Sequence, residues 1–321
     1  MQKVSTAEQM REVSRLTTDA HASDLLFAEL ADARNWMTAS RFSDDSHKYK
    51  RGHALVIAGS ESYSGAAVLA GNAAMRSGVG LVTLAVPATI RSEVAARCLA
   101  EVIVRPLPEA AGGIADTAYD EIVGLLSGAD AILVGCGIST HDAGAERLVR
   151  RVIEIRSCPV IVDASALAWC SRERVNSSNT ANTPLILTPH EGEFLRLLGT
   201  GDKCALADRA VAVRKFSQEN NVILVLKGER TLIGEPGGKA VVNPTGNSGL
   251  GKAGNGDTLA GILVGFVAQA QKMEIDVFET VVVGVYIAGL AGDIAEAKYG
   301  KRVMTASDVR ECLVEAFNRC K

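Results

Sequence analysis

The feature that most narrows the fold is a series of short runs in which nearly every residue is apolar. His53-Ala-Leu-Val-Ile-Ala58, Leu81-Val-Thr-Leu-Ala-Val86, Ala131-Ile-Leu-Val-Gly135, Val160-Ile-Val-Asp163, Leu185-Ile-Leu187 and Val222-Ile-Leu-Val-Leu226 have strand length and lack polar alternation. A strand with one wet face alternates, whereas a strand apolar on both faces must be covered on both. Helical patterns separate these runs, over Ser64–Arg76, Arg91–Leu99, Asp116–Leu126, Ala143–Ile155 and Leu206–Glu219. A further strand is predicted at Glu101–Arg105. The alternation predicts an α/β fold: a three-layer α/β/α sandwich around a mostly parallel central sheet. Thr231-Leu-Ile233 and Ala240-Val-Val242, joined through Gly237-Gly238, predict an antiparallel hairpin. The final third, to Cys320, reads as helical.

Residues 1–45 are polar and helical in pattern, with Asp24-Leu-Leu-Phe-Ala-Glu-Leu-Ala31 supplying one apolar face. They predict an N-terminal helical extension packed on a domain of residues 46–321. No Pro/Ser/Gly linker or internal repeat divides the chain. At 321 residues and 47% hydrophobic, it has apolar material for one large core. A net charge of -3 with 4% aromatic residues offers neither a basic face nor a stacking platform, so no nucleic acid and no membrane is expected as partner. The N-terminus lacks the apolar segment of a signal peptide. The longest apolar run, Val277 to Ala291, is interrupted by Glu279 and Thr280 and is short for a bilayer; a buried helix is predicted. Seven scattered cysteines with no C-x-x-C pair predict reduced thiols in a cytoplasmic protein.

In parallel sheets ligands sit at the carboxyl ends of the strands. Gly59-Ser60, Gly135-Cys-Gly137, Asp163, Thr188-Pro-His190 and Lys227-Gly228 each follow a predicted strand, so they are expected on one rim. Facing them in sequence is Asn243 to Gly261, with Gly246, Gly249, Gly251, Gly254 and Gly256 followed at once by Asp257 and an apolar helical run. Glycines and a helix start turn backbone N–H groups toward one point, a seat for an anion. A carboxylate there repels an anion unless it has another task, and proton acceptance is the natural one.

Two motif matches lie across this loop. Gly249-Leu-Gly-Lys-Ala-Gly254 spells G-x-G-x-x-G, but it comes late and has no acidic residue ending a second strand, as dinucleotide binding requires. Gly246 to Ala253 lacks the Ser/Thr that completes a P-loop. His190, between Pro189 and the carboxylates Glu191 and Glu193, suits a structural helix start and a functional rim alike. His53 begins a strand, and His47 and His141 have no comparable setting. Asp163 reads equally as a helix N-cap or a functional carboxylate, and Lys227 as a strand end or, preferably, a cation facing the loop.

Taken together, Lys48-x-x-x-Gly52, Val56-Ile-Ala-Gly-Ser60, Tyr63-Ser-Gly-Ala-Ala67, Arg76-Ser-Gly-Val-Gly-Leu-Val82, Gly135-Cys-Gly137, Leu187-Thr-Pro-His-Glu-Gly-Glu193, Leu226-Lys-Gly228, Thr245-Gly-Asn-Ser-Gly-Leu250 and Gly254-Asn-Gly-Asp257 resemble the ADP/ATP-dependent NAD(P)H-hydrate dehydratases of the ribokinase-like superfamily. The resemblance spans about residues 45 to 310. It implies repair of the hydrated dinucleotides NADHX and NADPHX to NADH and NADPH, with ADP (or ATP) as co-substrate and Mg2+ in attendance. It implies Asp257 as catalytic base. Lys227, Gly228, Glu229, Arg230, Thr231, Gly254, Asn255 and Gly256 are implied on the nucleotide side. Ala66, Gly137, His190 and Asp257 are implied on the hydrate side; metal ligands stay unassigned. A homotetramer is implied as well, and the small-residue helix Ser64–Arg76 could face a neighbouring subunit. The epimerase domain fused to many bacterial members is not expected before residue 45.

The chain departs from the family pattern at Asp163-Ala164-Ser165 (commonly Asp-Ala-Asp), at Asn255 (commonly Thr) and at Ala288-Gly289 (often His-Gly). These departures bear on fine substrate contacts and metal binding. Two alternatives share the loop and the base: a ribokinase-like kinase for a small alcohol such as a vitamin precursor, and a nucleotide-binding regulator without catalysis.

Overall fold

The apolar runs pair as strands, and their order decides where a ligand enters. The computed structural model describes residues 1–3, 9, 16, 25–139, 143–170 and 183–321. Asp24 and His141 lie outside the described residues. The strands are β1 (Gln2–Lys3), β2 (Leu26–Phe27), β3 (His53–Ile57), β4 (Leu81–Pro87), β5 (Ile103–Leu107), β6 (Glu109–Ala110), β7 (Gly113–Ile114), β8 (Ala131–Val134), β9 (Val160–Val162), β10 (Leu185–Leu187), β11 (Ile223–Leu226), β12 (Leu232–Gly234) and β13 (Ala240–Val242). The α-helices are α1 (Leu30–Ala39), α2 (Ser64–Arg76), α3 (Arg91–Arg97), α4 (Tyr119–Leu126), α5 (Ala143–Glu154), α6 (Glu191–Leu197), α7 (Arg209–Asn220), α8 (Asn255–Met273), α9 (Val277–Tyr299) and α10 (Ala306–Arg319).

One sheet runs in the order β1-β2-β13-β12-β11-β10-β9-β8-β3-β4-β5, and β6 pairs with β7 apart from it. Every pair from β11 across to β5 is parallel. The antiparallel steps β11–β12–β13 are the expected hairpin region. Each strand sends alternate side chains to opposite layers. Leu55, Ile57, Ile132, Val134, Val160 and Val162 meet α4, α5, α6 and α7 on one side. Ala54, Val56, Ala131, Leu133 and Ile161 meet α2, α3, α8 and α9 on the other. Outside this second layer, α1, α9 and α10 form another cluster, where Trp36 stacks on Phe266 with centroids 4.5 Å apart.

Three expectations need correction. The apolar stretch ending at Ala31 is not one helix: Leu26–Phe27 is a strand paired to β13, and α1 starts at Leu30. Period alone cannot separate a short strand from a helical turn. The buried helix expected from Val277 is longer than its apolar run: it extends to Tyr299 and, at 23 residues, is long and apolar enough by composition to cross a membrane, although 78% of its most apolar stretch is buried against the rest of the fold. Finally, the small side chains of α2 are spent inside the chain. Ala67, Ala70 and Ala74 pack with Ala260, Leu263 and Val264 of α8, so that face is not free for a neighbour.

Chain order places β3, β4 and β5 to one side of the β3/β8 boundary and β8, β9, β10 and β11 to the other. This boundary is the switch point, where crossover connections leave in opposite directions and open a crevice. The helix α8 packs against β3 and β8 at that boundary. It lies so near α2 that a Cβ on Gly261 would stand 2.3 Å from the carbonyl oxygen of Ala70. Gly261→Leu is therefore expected to destabilise the fold by about 1–3 kcal/mol through overpacking. The check is a lower urea midpoint at unchanged slope; an unmoved midpoint would refute the close contact.

Candidate active site

Main-chain bonds tie the strand ends into one rim. Gly59 N–H donates to Cys136 O (2.8 Å), Asp163 N–H to Val134 O (3.1 Å), Thr188 N–H to Val162 O (3.2 Å) and Lys227 N–H to Pro189 O (2.8 Å). The five segments expected to converge are therefore neighbours in space. The Ser60 hydroxyl adds a bond to Gly137 O (2.8 Å).

At the centre of the rim is a buried ion pair. Lys227 Nζ donates to Asp163 Oδ1 at 2.7 Å, and the Thr188 hydroxyl donates to the same oxygen at 2.8 Å. Asp163 is 1% exposed. It occupies the N-cap position of a 3-10 turn over Ala164–Trp169, but its carboxylate makes no capping bond. The capping alternative falls away, because Lys227 and Thr188 take the side chain. Asp163 Oδ2 faces the Cys136 thiol at 3.8 Å. Burial pulls the Lys227 ammonium pKa down, and the carboxylates of Asp163 and Glu193 outweigh it, so the net direction is up.

The glycine loop arrives opposite this pair. Gly254, with φ +89°, is the N-cap of α8, and the first bond of the helix runs from Thr258 N–H to Gly254 O (3.0 Å). The N–H groups of Gly256 and Asp257 lie ahead of that bond, in the turn whose donors a helix cannot use itself. Gly256 faces the ion pair: a Cβ there would lie 3.5 Å from Lys227 Nζ and 3.9 Å from Asp163 Oδ2. Asp257 is half-buried beside them. Burial lifts its carboxyl to about 6, and Asp163 adds to the rise; the Cys136 thiol and Lys227 pull it back. The Cys136 thiol is pushed well above its usual range by burial and then by the two carboxylates. The free N–H groups of a helix start, an ammonium and a carboxyl of raised pKa thus share one corner.

The other predicted residues flank this corner. Gly137, with φ +70°, packs on α2: a Cβ there would come within 2.8 Å of Ala66 Cβ and 2.7 Å of Tyr63 O. Gly137 and Ala66 therefore line the switch-point crevice together. His190 is a helix N-cap: its Nδ1 accepts from Glu193 N–H (3.2 Å) while Glu193 Oε2 accepts from His190 N–H (2.8 Å). The ring remains largely exposed, while the backbone of His190 forms a parallel bridge to Lys227. Structural cap and rim position coincide in one residue. Gly228 to Thr231 lead from β11 into β12; Thr231 Oγ1 donates to Gly228 O (3.4 Å), Arg230 donates to Pro244 O, and Glu229 O accepts from Arg209 Nη1 (2.9 Å). Asn255 Nδ2 donates to Lys252 O (3.3 Å), which stiffens the turn. His53 is tied by its ring between Gly128 O and Thr83 Oγ1, both at 2.8 Å, away from this rim.

Three contributors had no assigned role from sequence. Cys136 was visible only as the middle of a Gly-Cys-Gly strand end. Asp293 accepts from Gly246 N–H (2.9 Å) and Asn247 Nδ2 (3.0 Å), clasping the loop to α9; a charge inside an apolar helix was its signal. Arg209 spans the rim from α7, with Nε 3.5 Å from Glu191 Oε1. Lys252, the lysine of the P-loop near-match, is held by the carbonyls of Arg302 and Met304 and does not serve the seat.

The ligand atoms of Cys136, Asp163 and Asp257 all lie within 4.8 Å of one another. As a magnesium site this set fits poorly. Magnesium prefers hard oxygen ligands, one member is a thiol, and Asp163 Oδ1 is already engaged by Lys227 and Thr188. Of the two carboxylates, Asp257 is the one that takes neither a lysine nor a hydroxyl among the described residues; its partner is the Cys136 thiol.

The sheet order, with an anion seat at a helix start facing the switch point, defines a ribokinase-like α/β protein. A ribokinase-like protein of Enterococcus faecalis superposes with TM-score 0.72 at 25% identity, over 92% of this chain and 96% of that one. The ADP/ATP-dependent NAD(P)H-hydrate dehydratase of Bacillus subtilis, co-crystallised with ATP and Mg2+, superposes with TM-score 0.80 at 28% identity, over 92% of this chain and 99% of that one. Residues 54–315 match the family model for NAD(P)H-hydrate dehydratase. The bifunctional NAD(P)H-hydrate repair enzyme of Moorella thermoacetica is 38% identical over 269 residues, 83% of this chain and 49% of that protein. This chain belongs to the NAD(P)H-hydrate dehydratase family. It spans about half the length of the bifunctional relatives it matches.

Lys227→Met would strand the Asp163 carboxylate in the interior, and a loss of about 3–5 kcal/mol in unfolding free energy is expected. Adding Asp163→Asn should recover part of that loss. A single variant as stable as the parent would show that the pair does not hold the rim.

Proposed function

We propose that this protein restores NADHX and NADPHX to NADH and NADPH at the expense of a nucleotide, ADP in the first instance, releasing AMP and phosphate. The observation that carries the reading is Asp257. A carboxylate lifted to about 6 stands in the first turn of the helix that forms the anion seat. A group tuned in this way beside an anion seat suits a general base for an attacking hydroxyl. Its family membership supports the substrate class, and the ADP-dependent (S)-NAD(P)H-hydrate dehydratase of Neisseria meningitidis is 36% identical over 80% of this chain and 82% of that one.

Hydroxide leaves a ring carbon poorly at neutral pH, so the hydroxyl is first esterified. Its oxygen forms a bond to the terminal phosphorus of ADP, the bridging P–O bond breaks, and AMP departs with that electron pair. Asp257 takes the hydroxyl proton. The N–H groups of Gly256 and Asp257 and the ammonium of Lys227 hold the transferring charge, where positioning and charge stabilisation matter most. The ring nitrogen's lone pair then expels phosphate, and loss of a proton from the adjacent ring carbon restores the double bond. Nucleotide is assigned to the Lys227–Thr231 side with Gly254 to Gly256. The hydrate is assigned to the side of Ala66, Gly137 and His190. Seven unpaired thiols support a cytoplasmic setting.

Incubation with NADHX and ADP should return the absorbance of reduced nicotinamide with one AMP per turnover. Phosphorylation of a small alcohol in its place would assign the site to a kinase. Asp257→Asn is expected to cut turnover at least about a hundredfold while leaving nucleotide binding intact, as loss of a general base does. The base works ionised, so the parent's rate should fall as pH drops through about 6. A rate that stays level well below that point would remove Asp257 from the role.

A further inference from the structure

We propose that Cys136, Asp163 and Asp257 form a binding site for a thiophilic divalent cation, of the Zn2+ or Cd2+ class, in the floor of the active site. Their three ligand atoms lie within 4.8 Å of one another, and the sulfur-to-Asp163 Oδ2 distance is 3.8 Å. With metal–sulfur bonds of about 2.3 Å and metal–oxygen bonds of about 2.0–2.2 Å, ligands around one tetrahedral ion stand about 3.4–3.7 Å apart; the sulfur-to-Oδ2 distance is already near that value, and the set contracts from its 4.8 Å limit on binding. The same set disfavours magnesium, because thiolate sulfur selects softer ions.

Hydrogen-bond accounting points the same way. Asp163 Oδ1 takes two strong donors, from Lys227 and Thr188. Oδ2, on a side chain almost wholly buried, has among the described residues only the weak thiol contact. A buried carboxylate oxygen with so little to accept is left short of partners. A cation between Oδ2, the thiol sulfur and Asp257 supplies one.

Charge closes the argument. With Asp257 ionised, the cluster of thiol, two carboxylates and Lys227 carries one net negative charge in a poorly solvated corner. On metal binding the S–H proton passes to solvent and the sulfur forms the bond to the ion. The thiolate and two carboxylates then balance the doubly charged ion and the ammonium, leaving Glu193, 4.0 Å from Lys227, as the one further carboxylate beside the cluster. Occupancy takes the Asp257 carboxylate as a ligand, so the ion would act as an inhibitor. That consequence rests on the proposed activity, whereas the site does not.

The test uses the full chain, metal-free, and compares the parent with Cys136→Ser and Cys136→Ala. Equilibrium dialysis against Zn2+ should show one equivalent in the parent whose affinity is at least about tenfold weaker in both variants, as expected when a ligand is lost. Titration with Cd2+ should give a thiolate-to-metal charge-transfer band in the parent that both variants lack. Equal uptake and an equal band in Cys136→Ser would overturn the site and assign the metal to another thiol, such as exposed Cys204. Cys136→Ser is nearly isosteric, so it serves if the alanine variant folds poorly. Zn2+ should also abolish hydrate repair in the parent and spare Cys136→Ser. Cys136-dependent binding in a protein without repair activity would sink the proposed function and leave the site standing. Repair activity without such binding would sink the site alone.

Discussion

The charged centre of the rim depends on one contact, the buried bond between Lys227 and Asp163. The two residues end β11 and β9, and β10 lies between them with Thr188 bonded to the same carboxylate oxygen. One interaction therefore pins three strand ends at once. Taking both charges out of water is costly, and their attraction offsets the cost only when geometry is good and further donors are present. Both conditions hold: 2.7 Å and a hydroxyl. The pair does little for stability beyond what an apolar pair would do, but it leaves a cation and a carboxylate fixed where α8 begins.

That placement governs Asp257. Alone in a half-buried setting, its carboxyl would rise freely; with Asp163 nearby it rises further, and Lys227 and Cys136 restrain it. One ammonium thus serves two carboxylates, bonding Asp163 directly and lowering the carboxyl of Asp257 from where burial alone would put it. The helix start contributes N–H donors to the same corner, which suit a transferring phosphoryl group better than they suit the acid.

Much of this was legible in the chain. Both-face apolar strands alternating with helices led to a covered parallel sheet, and strand-end residues could be gathered on one rim because ligand sites follow strand ends in such sheets. What stayed hidden depended on distance across the fold. Leu26–Phe27 is too short for its period to show, and its pairing partner, β13, lies more than two hundred positions along the chain. Asp163 and Lys227 were each noticed, yet their bond joins residues 64 positions apart, and no local pattern records it. Cys136 carried no signal because a thiol between glycines is ordinary until two carboxylates are seen beside it. His190 held both of its meanings, since a capping bond uses one ring nitrogen and leaves the ring exposed at the rim.

Gly261 lies four positions beyond Asp257, one turn further into α8, where the helix rests against the backbone of α2. Nothing reactive happens there. Yet the closeness with which α8 lies along α2 bears on where its first turn stands relative to Lys227, so the absence of a methyl group acts as a gauge for the site. Chemistry at one end of the helix is calibrated by packing at a point that never meets a ligand, and drift in function across related chains can begin at a residue with no functional group at all.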